Sequence, residues 1–266
     1  MKSFTVMIFL LFSALIGFAQ TGYILHDTII PINIGYTINL NSTILNESRT
    51  IFIHLPDNYT KDLNPCPVLY LFDAETNFKP VCGVADILCR WKVIPGLIVV
   101  GIPNTDRMRD VTPTHDRKFH IGGGGDIFLR FLGEELIPYI DNNYNTQSFR
   151  ILEGHSISGM FTMYAFTADT ALFDAYIAVS PSMYWDEQIM LSKLEEFLKA
   201  NHDLKKQLYI TLANEPDFMF IKETIEIMQI HSPVNLDWRF LQDTTERHEI
   251  APLRSTYEGL RFIFSK

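Results

Sequence analysis

The chain has 266 residues, 47% apolar and 20% charged, which suits one large domain or two small ones with a sizeable core. Its formal charge of −9 argues against nucleic acid or an anionic membrane surface as partner, since both demand clustered Lys and Arg. Cys66, Cys82 and Cys89 are the only cysteines, at spacings that match no zinc pattern, and no histidine pair is spaced as metal ligands on one helix, so no metal is expected.

Residues 1–20 form a separate object. Lys2 supplies a positive start, Val6 to Phe18 a short apolar run, and Gly17-Phe18-Ala19 a small-x-small cleavage site. The run is too short for a comfortable membrane span, so export with cleavage near Ala19 or Gln20 is expected, to a periplasmic or secreted location with no membrane attachment afterwards. In an exported chain three cysteines allow at most one disulfide; buried small hydrophobes are slightly preferred to a Cys82–Cys89 bridge. No repeat, low-complexity tract or linker divides the remainder, which reads as a single domain over residues 21–266.

Two alternating segments come first, Tyr36 to Leu40 and Arg49 to Leu55, separated by turn-prone residues, and they predict an antiparallel pair. Continuous apolar runs follow at 67–73, 97–102, 175–180 and 207–213, as parallel strands covered on both faces require. Helical patterns lie between them. Over Asp126 to Asn143, Ile127, Phe128, Phe131, Leu132, Leu136 and Ile140 share one face, and Asp126 is placed to cap the start. Further helices are expected at 84–92, 159–167, 187–200, 218–229 and 252–264. An antiparallel start followed by alternating strands and helices predicts an α/β fold with a mostly parallel central sheet and helices on both faces.

Ligands of such sheets bind beyond the carboxyl ends of the strands. Residues 151–159, Ile-Leu-Glu-Gly-His-Ser-Ile-Ser-Gly, have the form of a strand, a sharp turn bearing Ser156, and a helix start. That geometry lifts a serine hydroxyl clear of the sheet and frees the next N–H for an oxyanion. Ser158 stands where the G-x-S-x-G pattern has its last glycine. Glu215 follows a later strand and His248 lies in the loop before the last helix, so the chain offers serine, carboxylate and histidine in the α/β-hydrolase order. Ser156 is the candidate nucleophile, His248 the base, and Glu215 the acid, with Asp217 in reserve. Ile157 N–H is one candidate oxyanion donor, and the backbone near Glu75 the other. Phe78, Asn104, Arg107, Tyr184 and Trp185, near strand ends, are candidate substrate contacts. His155 reads as a packing or hydrogen-bonding residue that faces away from the nucleophile, and Ser180 as a strand-end turn residue.

Residues 70–78 (Tyr-Leu-Phe-Asp-Ala-Glu-Thr-Asn-Phe), 100–113 (Val-Gly-Ile-Pro-Asn-Thr-Asp-Arg-Met-Arg-Asp-Val-Thr-Pro), Glu135 to Ile140, Gly154 to Gly159, Ser180 to Asp186 and His248 carry a resemblance. With them the chain resembles the putative esterase family of α/β hydrolases, which groups esterase D-like, enterochelin esterase-like and feruloyl esterase-like enzymes. The resemblance runs from about residue 50 to the C-terminus and implies the α/β-hydrolase fold. It also implies ester hydrolysis through an acyl-enzyme, without metal or organic cofactor. Two positions depart from it: Ser158, and Ala74, where members often carry glycine.

The expected protein is therefore an exported serine ester hydrolase acting on a small-molecule ester, whether an acylated sugar, a feruloyl-type ester or a siderophore ester. A non-catalytic ligand-binding protein of hydrolase fold and an acyltransferase using the same acyl-enzyme are the alternatives. Oligomeric state has no signature in the sequence.

Overall fold

The structure, a computed structural model, describes residues 32–57, 59–61, 64–216 and 219–265. The segment read as an export signal and the reserve acid Asp217 lie outside the described residues. The unit that begins at Asn33 carries the fold.

Strands β1 (Tyr36–Ser42) and β2 (Glu47–His54) form the expected antiparallel pair. Asn46 turns the chain between them at φ 53°, in the left-handed region that asparagine tolerates. The buried strands β3 (Cys66–Phe72) and β4 (Ile98–Ile102) pair in parallel. A short antiparallel ribbon, β5 (His115–Asp116) and β6 (Ile121–Gly122), stands apart from the main sheet. Strands β7 (Thr146–His155), β8 (Ala175–Val179), β9 (Gln207–Leu212) and β10 (Asp237–Gln242) complete an eight-stranded sheet ordered β1-β2-β4-β3-β7-β8-β9-β10. From β4 to β10 every pairing is parallel, so the carboxyl ends of these strands share one edge.

The apolar runs are continuous because each strand feeds two cores. Successive side chains on β3 alternate: Val68, Tyr70 and Phe72 enter one apolar layer, Leu69 and Leu71 the other. The second layer is closed by helices α1 (Ala74–Arg90) and α8 (Ala251–Ile263), which pack on each other. Between these in sequence lie α2 (Arg107–Asp110), α3 (Gly125–Phe131), α4 (Ile137–Asn143), α5 (Ile157–Ala168), α6 (Trp185–Ala200) and α7 (Ile221–His231). Helices α5 and α6 cover the first layer, with α7 against α6.

Several boundaries differ from the sequence pattern for identifiable reasons. Helix α1 starts ten residues before the expected 84, because its first turns carry the polar Asn77 and Lys79 and an internal Pro80 that forgoes a backbone bond. The helix expected over 126–143 is two α segments joined by one π turn at Leu132–Leu136. Its expected apolar face is buried except at Ile127, which is exposed. Asp126 does not cap this helix; it sits in the first turn, with its carboxylate taken by the Tyr164 hydroxyl. At the start of α6 the chain runs through the left-handed region at Asp186, Glu187 and Gln188 before regular helix begins. All three cysteines are free. Cys82 and Cys89 lie seven residues apart on α1, a rise of about 10 Å. A bridge needs Cα atoms within about 7 Å, so this pair cannot close.

Candidate active site

Passing from β7 into α5 requires the chain to reverse at one residue. Ser156 does so at φ 60° and ψ −120°, a conformation residues with side chains seldom adopt. Two glycines make room. A Cβ on Gly154 would stand 2.2 Å from the Ser158 carbonyl oxygen, and one on Gly159 would stand 2.7 Å from that of Val179. The strained residue is pinned through its backbone: its N–H donates to the Val179 carbonyl at 2.9 Å, and its carbonyl accepts from Ser182 N–H at 3.1 Å. The side chain is thereby left facing a cavity of about 460 Å³, lined by Ser156, Ser182, Tyr184, Asn214, Glu215, Pro216, Met219, Arg247, His248 and Glu249.

Three strand ends thus deliver Ser156, Glu215 and His248 to one cavity. His248 Nδ1 stands 2.9 Å from Glu215 Oε1, and the Glu215 side chain is only 6% exposed. Burial pushes the Glu215 carboxyl up, but His248 and the Ser180 hydroxyl outweigh it and hold the group below its ordinary value, so it is ionised at neutral pH. Asn214 N–H donates to the Glu246 carbonyl at 2.8 Å, tying the loop that carries the acid to the loop that carries the histidine. Ser156 Oγ lies 3.2 Å from Ser182 Oγ, and among the described residues it makes no hydrogen bond to His248. Such contacts commonly tighten only when substrate is bound.

Two neighbours do more than the sequence predicts: His155 faces otherwise than expected, and Ser180 is the expected strand-end turn residue with a further hydrogen bond. The His155 ring packs on the His248 ring, with centroids 4.4 Å apart, so it faces the site rather than away from it. Burial, aided by the nearby His248, pushes its pKa down to about 4, which leaves it a neutral wall at physiological pH. Ser180 is fully buried at φ 43°; its hydroxyl accepts from Ala213 N–H at 3.1 Å and steadies the acid loop. Its position after a buried strand, in Ser-Pro-Ser, was the only signal in sequence.

The amides of Ile157, first in α5, and of Ala74 and Glu75, first in α1, take no acceptor among the described residues. Strands β3 and β7 are adjacent, so these two helix N-termini stand at neighbouring strand ends. Unpaired N–H groups and helix dipoles there favour negative charge. The backbone near Glu75 is thus the first turn of a helix that begins at Ala74. Asp73, which caps α1 from the left-handed region, is gripped by Arg107 Nε and Nη2, at 2.6 Å and 2.9 Å. Arg107 also donates to the His155 carbonyl at 3.2 Å and the Ser158 hydroxyl at 3.4 Å. Asn104 Nδ2 donates to Asp73 and Glu75 at 2.7 Å and 2.6 Å. Burial would raise the Asp73 carboxyl, but Arg107, Asn104 and Ser158 hold it below its ordinary value.

Of the five candidate substrate contacts, only Tyr184 lines the cavity. Asn104 and Arg107 are engaged with Asp73 and Glu75. Phe78 is buried, edge-on to Phe52 at 5.3 Å, because α1 turns it down onto β2. Trp185 is likewise buried, its indole donating to the Thr114 carbonyl at 3.2 Å. Among the described residues no group of three or more His, Cys, Asp or Glu could hold a metal ion.

A family model described as Putative esterase matches residues 42–219, a span that holds Ser156 and Glu215 and stops short of His248. The chain is 31% identical over 191 residues to the ferri-bacillibactin esterase BesA of Bacillus subtilis, covering 63% of this chain and 66% of that protein. It is similar in structure to an IroE-like serine hydrolase from Shewanella oneidensis, with TM-score 0.82 and 31% identity over 87% of this chain and 80% of that one. The siderophore hydrolase EstB from Aspergillus nidulans shares the fold, with TM-score 0.76 and 22% identity over 89% of this chain and 97% of that one. Matches to the curated relatives span 41% to 66% of those proteins' lengths. By the extent of the family match and the shared α/β-hydrolase architecture, the chain belongs to the Putative esterase family.

Proposed function

We propose that the protein is an exported serine ester hydrolase in which Ser156, His248 and Glu215 form the catalytic triad. The convergence of the strained Ser156 turn and the Glu215–His248 pair on one cavity carries this reading. Glu215 fixes the tautomer of His248 by accepting at Nδ1, which directs Nε2 to the nucleophile. Ser156 Oγ attacks the ester carbonyl as its proton passes to His248. The oxyanion is met by Ile157 N–H and the N-terminal amides of α1, around Glu75. Collapse expels the alcohol with the proton from His248 and leaves an acyl-enzyme. Water, deprotonated by the same imidazole, then releases the acid and restores Ser156.

A siderophore-type ester is the favoured substrate. Support comes from the similarity to an esterase named for ferri-bacillibactin. Residues 1–20 are read as the export signal.

The test is labelling by a fluorophosphonate probe together with hydrolysis of p-nitrophenyl acetate and of a catecholate trilactone, wild type beside Ser156→Ala. Labelling at Ser156 and a kcat loss of at least about 10³-fold in Ser156→Ala are expected. An active Ser156→Ala protein, or an inert and unlabelled wild type, overturns the reading. N-terminal sequencing of exported protein checks the signal, with a start near Gln20 or Thr21 expected.

A further inference from the structure

Glu153 lies on β7, three residues before Ser156, and is fully buried at 1% exposure. Its register neighbours are Leu71 on β3 and Ile177 on β8, so no cation faces it from the sheet. Among the described residues its side-chain hydrogen-bond contact is with Thr256 on α8, whose Oγ1 meets Glu153 Oε1. Glu153 Oε2 has no hydrogen-bond partner among the described residues.

Thr256 resolves the proton count. Its Oγ1 also lies 2.7 Å from the Pro252 carbonyl, one turn back on the same helix. A hydroxyl has one proton, and a carbonyl can only accept. With that proton given to Pro252, the second contact closes only if the carboxyl donates. A carboxylate here would be a buried anion with one oxygen unpaired and no counter-ion, an arrangement proteins avoid by neutralising the group.

We propose that Glu153 is a positioning residue: a neutral carboxylic acid that donates to Thr256, latches α8 to the nucleophile strand, and so sets His248 against Ser156. His248 opens a short 3-10 turn, His248–Ile250, that runs directly into α8, and Thr256 lies two helical turns after it. A second buried pair, Ser255 to Thr211 at 2.9 Å, fastens the preceding residue of α8 to β9. Two polar latches on consecutive residues fix both the height and the rotation of the helix. Burial pushes the Glu153 carboxyl up to about 8, so the acid keeps its proton and its donated bond at neutral pH. In mild alkali it loses both, and Thr256 must leave the Pro252 carbonyl to donate back to the anion, the one hydrogen bond that acts against burial.

The inference rests on the triad reading, and its test separates the two. For the full-length protein, kcat and KM on p-nitrophenyl acetate are measured from about pH 6 to about pH 9.5 for wild type, Glu153→Gln, Glu153→Leu and Thr256→Val. The wild type is expected to lose kcat reversibly above about pH 8. Glu153→Gln, whose amide donates as the acid does, should keep neutral-pH kcat within about threefold and lack that alkaline fall. Glu153→Leu and Thr256→Val should lose about tenfold in kcat with KM within about twofold. Infrared spectra should contain a protonated-carboxyl band that Glu153→Gln removes. The same alkaline fall in Glu153→Gln, or no such band, overturns the latch. Should Glu153→Leu fail to fold, the Glu153→Gln profile and the infrared band still decide. Failure of the triad reading shows separately, as activity in Ser156→Ala.

Discussion

Arg107 touches both sides of the proposed oxyanion site: Asp73 ahead of α1, and the His155 carbonyl and Ser158 hydroxyl at the turn into α5. Its planar fork fits this arrangement, since two nitrogens pair with one carboxylate while one of them still reaches the turn. Both departures from the family pattern now have a place. Ser158 is buried with its hydroxyl on Arg107, and Ala74 is the first residue of a helix, where no positive φ requires glycine. Lysine offers a single point charge and cannot bridge the two sides. Arg107→Lys is therefore expected to lower kcat by about 10- to 100-fold while KM stays within about threefold. Ser158→Gly, which removes the 3.4 Å contact with Arg107 and the weakest of the bonds that hold Asp73 ionised, should cost less than about threefold. Steady-state kinetics on one ester checks both. A Lys variant with full kcat and a raised KM would make Arg107 a substrate contact after all.

At the level of elements, the junction of β7 with α5 depends on absent side chains. The atom that a Cβ on Gly154 would strike is the backbone oxygen of Ser158, which cannot rotate away. Gly154→Ala should thus destabilise the protein by about 2–4 kcal/mol and cut kcat by more than about tenfold, as the turn relaxes away from its strained form. Gly83, in the middle of α1, has nothing within 4 Å of a built Cβ. Gly83→Ala is the matched control, expected to stabilise by up to about 1 kcal/mol with unchanged kcat. Urea melts beside kinetics distinguish these outcomes. The same contrast explains what sequence could reveal. Central strands were readable because burial on both faces writes an unbroken apolar run, and the meeting of Ser156, Glu215 and His248 at one cavity because they follow strands or open a helix. Early α1 was hidden by Asn77 and Pro80, and the two-residue strands of the β5–β6 ribbon are too short for any periodicity. Phe78 and Trp185 were placed near the mouth from chain position alone, which does not say that helix geometry turns them into the core.

Across the whole molecule, buried carboxyls of opposite behaviour shape the dependence of stability on pH. Asp73, Glu215 and the partly buried Glu47 are held below their ordinary values by their partners, against the pull of burial. They contribute stability above the unfolded values and lose it as pH falls through the folded ones. Glu153 works the other way. Folded, it keeps its proton to about pH 8; unfolded, it releases it near the ordinary 4.5. Within that window the unfolded chain binds fewer protons, so stability falls as pH rises, by at most about 1.4 kcal/mol per unit, and levels off above. Stability should therefore peak on the weakly acidic side of neutral. Glutamine at 153 does not titrate, while every other charge is common to the two proteins. The difference in unfolding free energy, Glu153→Gln minus wild type, should be constant below about pH 4.5, climb in favour of the variant to about pH 8, and be constant again beyond. Urea melts at half-unit steps measure it directly. A flat difference would mean that Glu153 is already ionised in the folded protein, and that the proton inferred at Thr256 is not there.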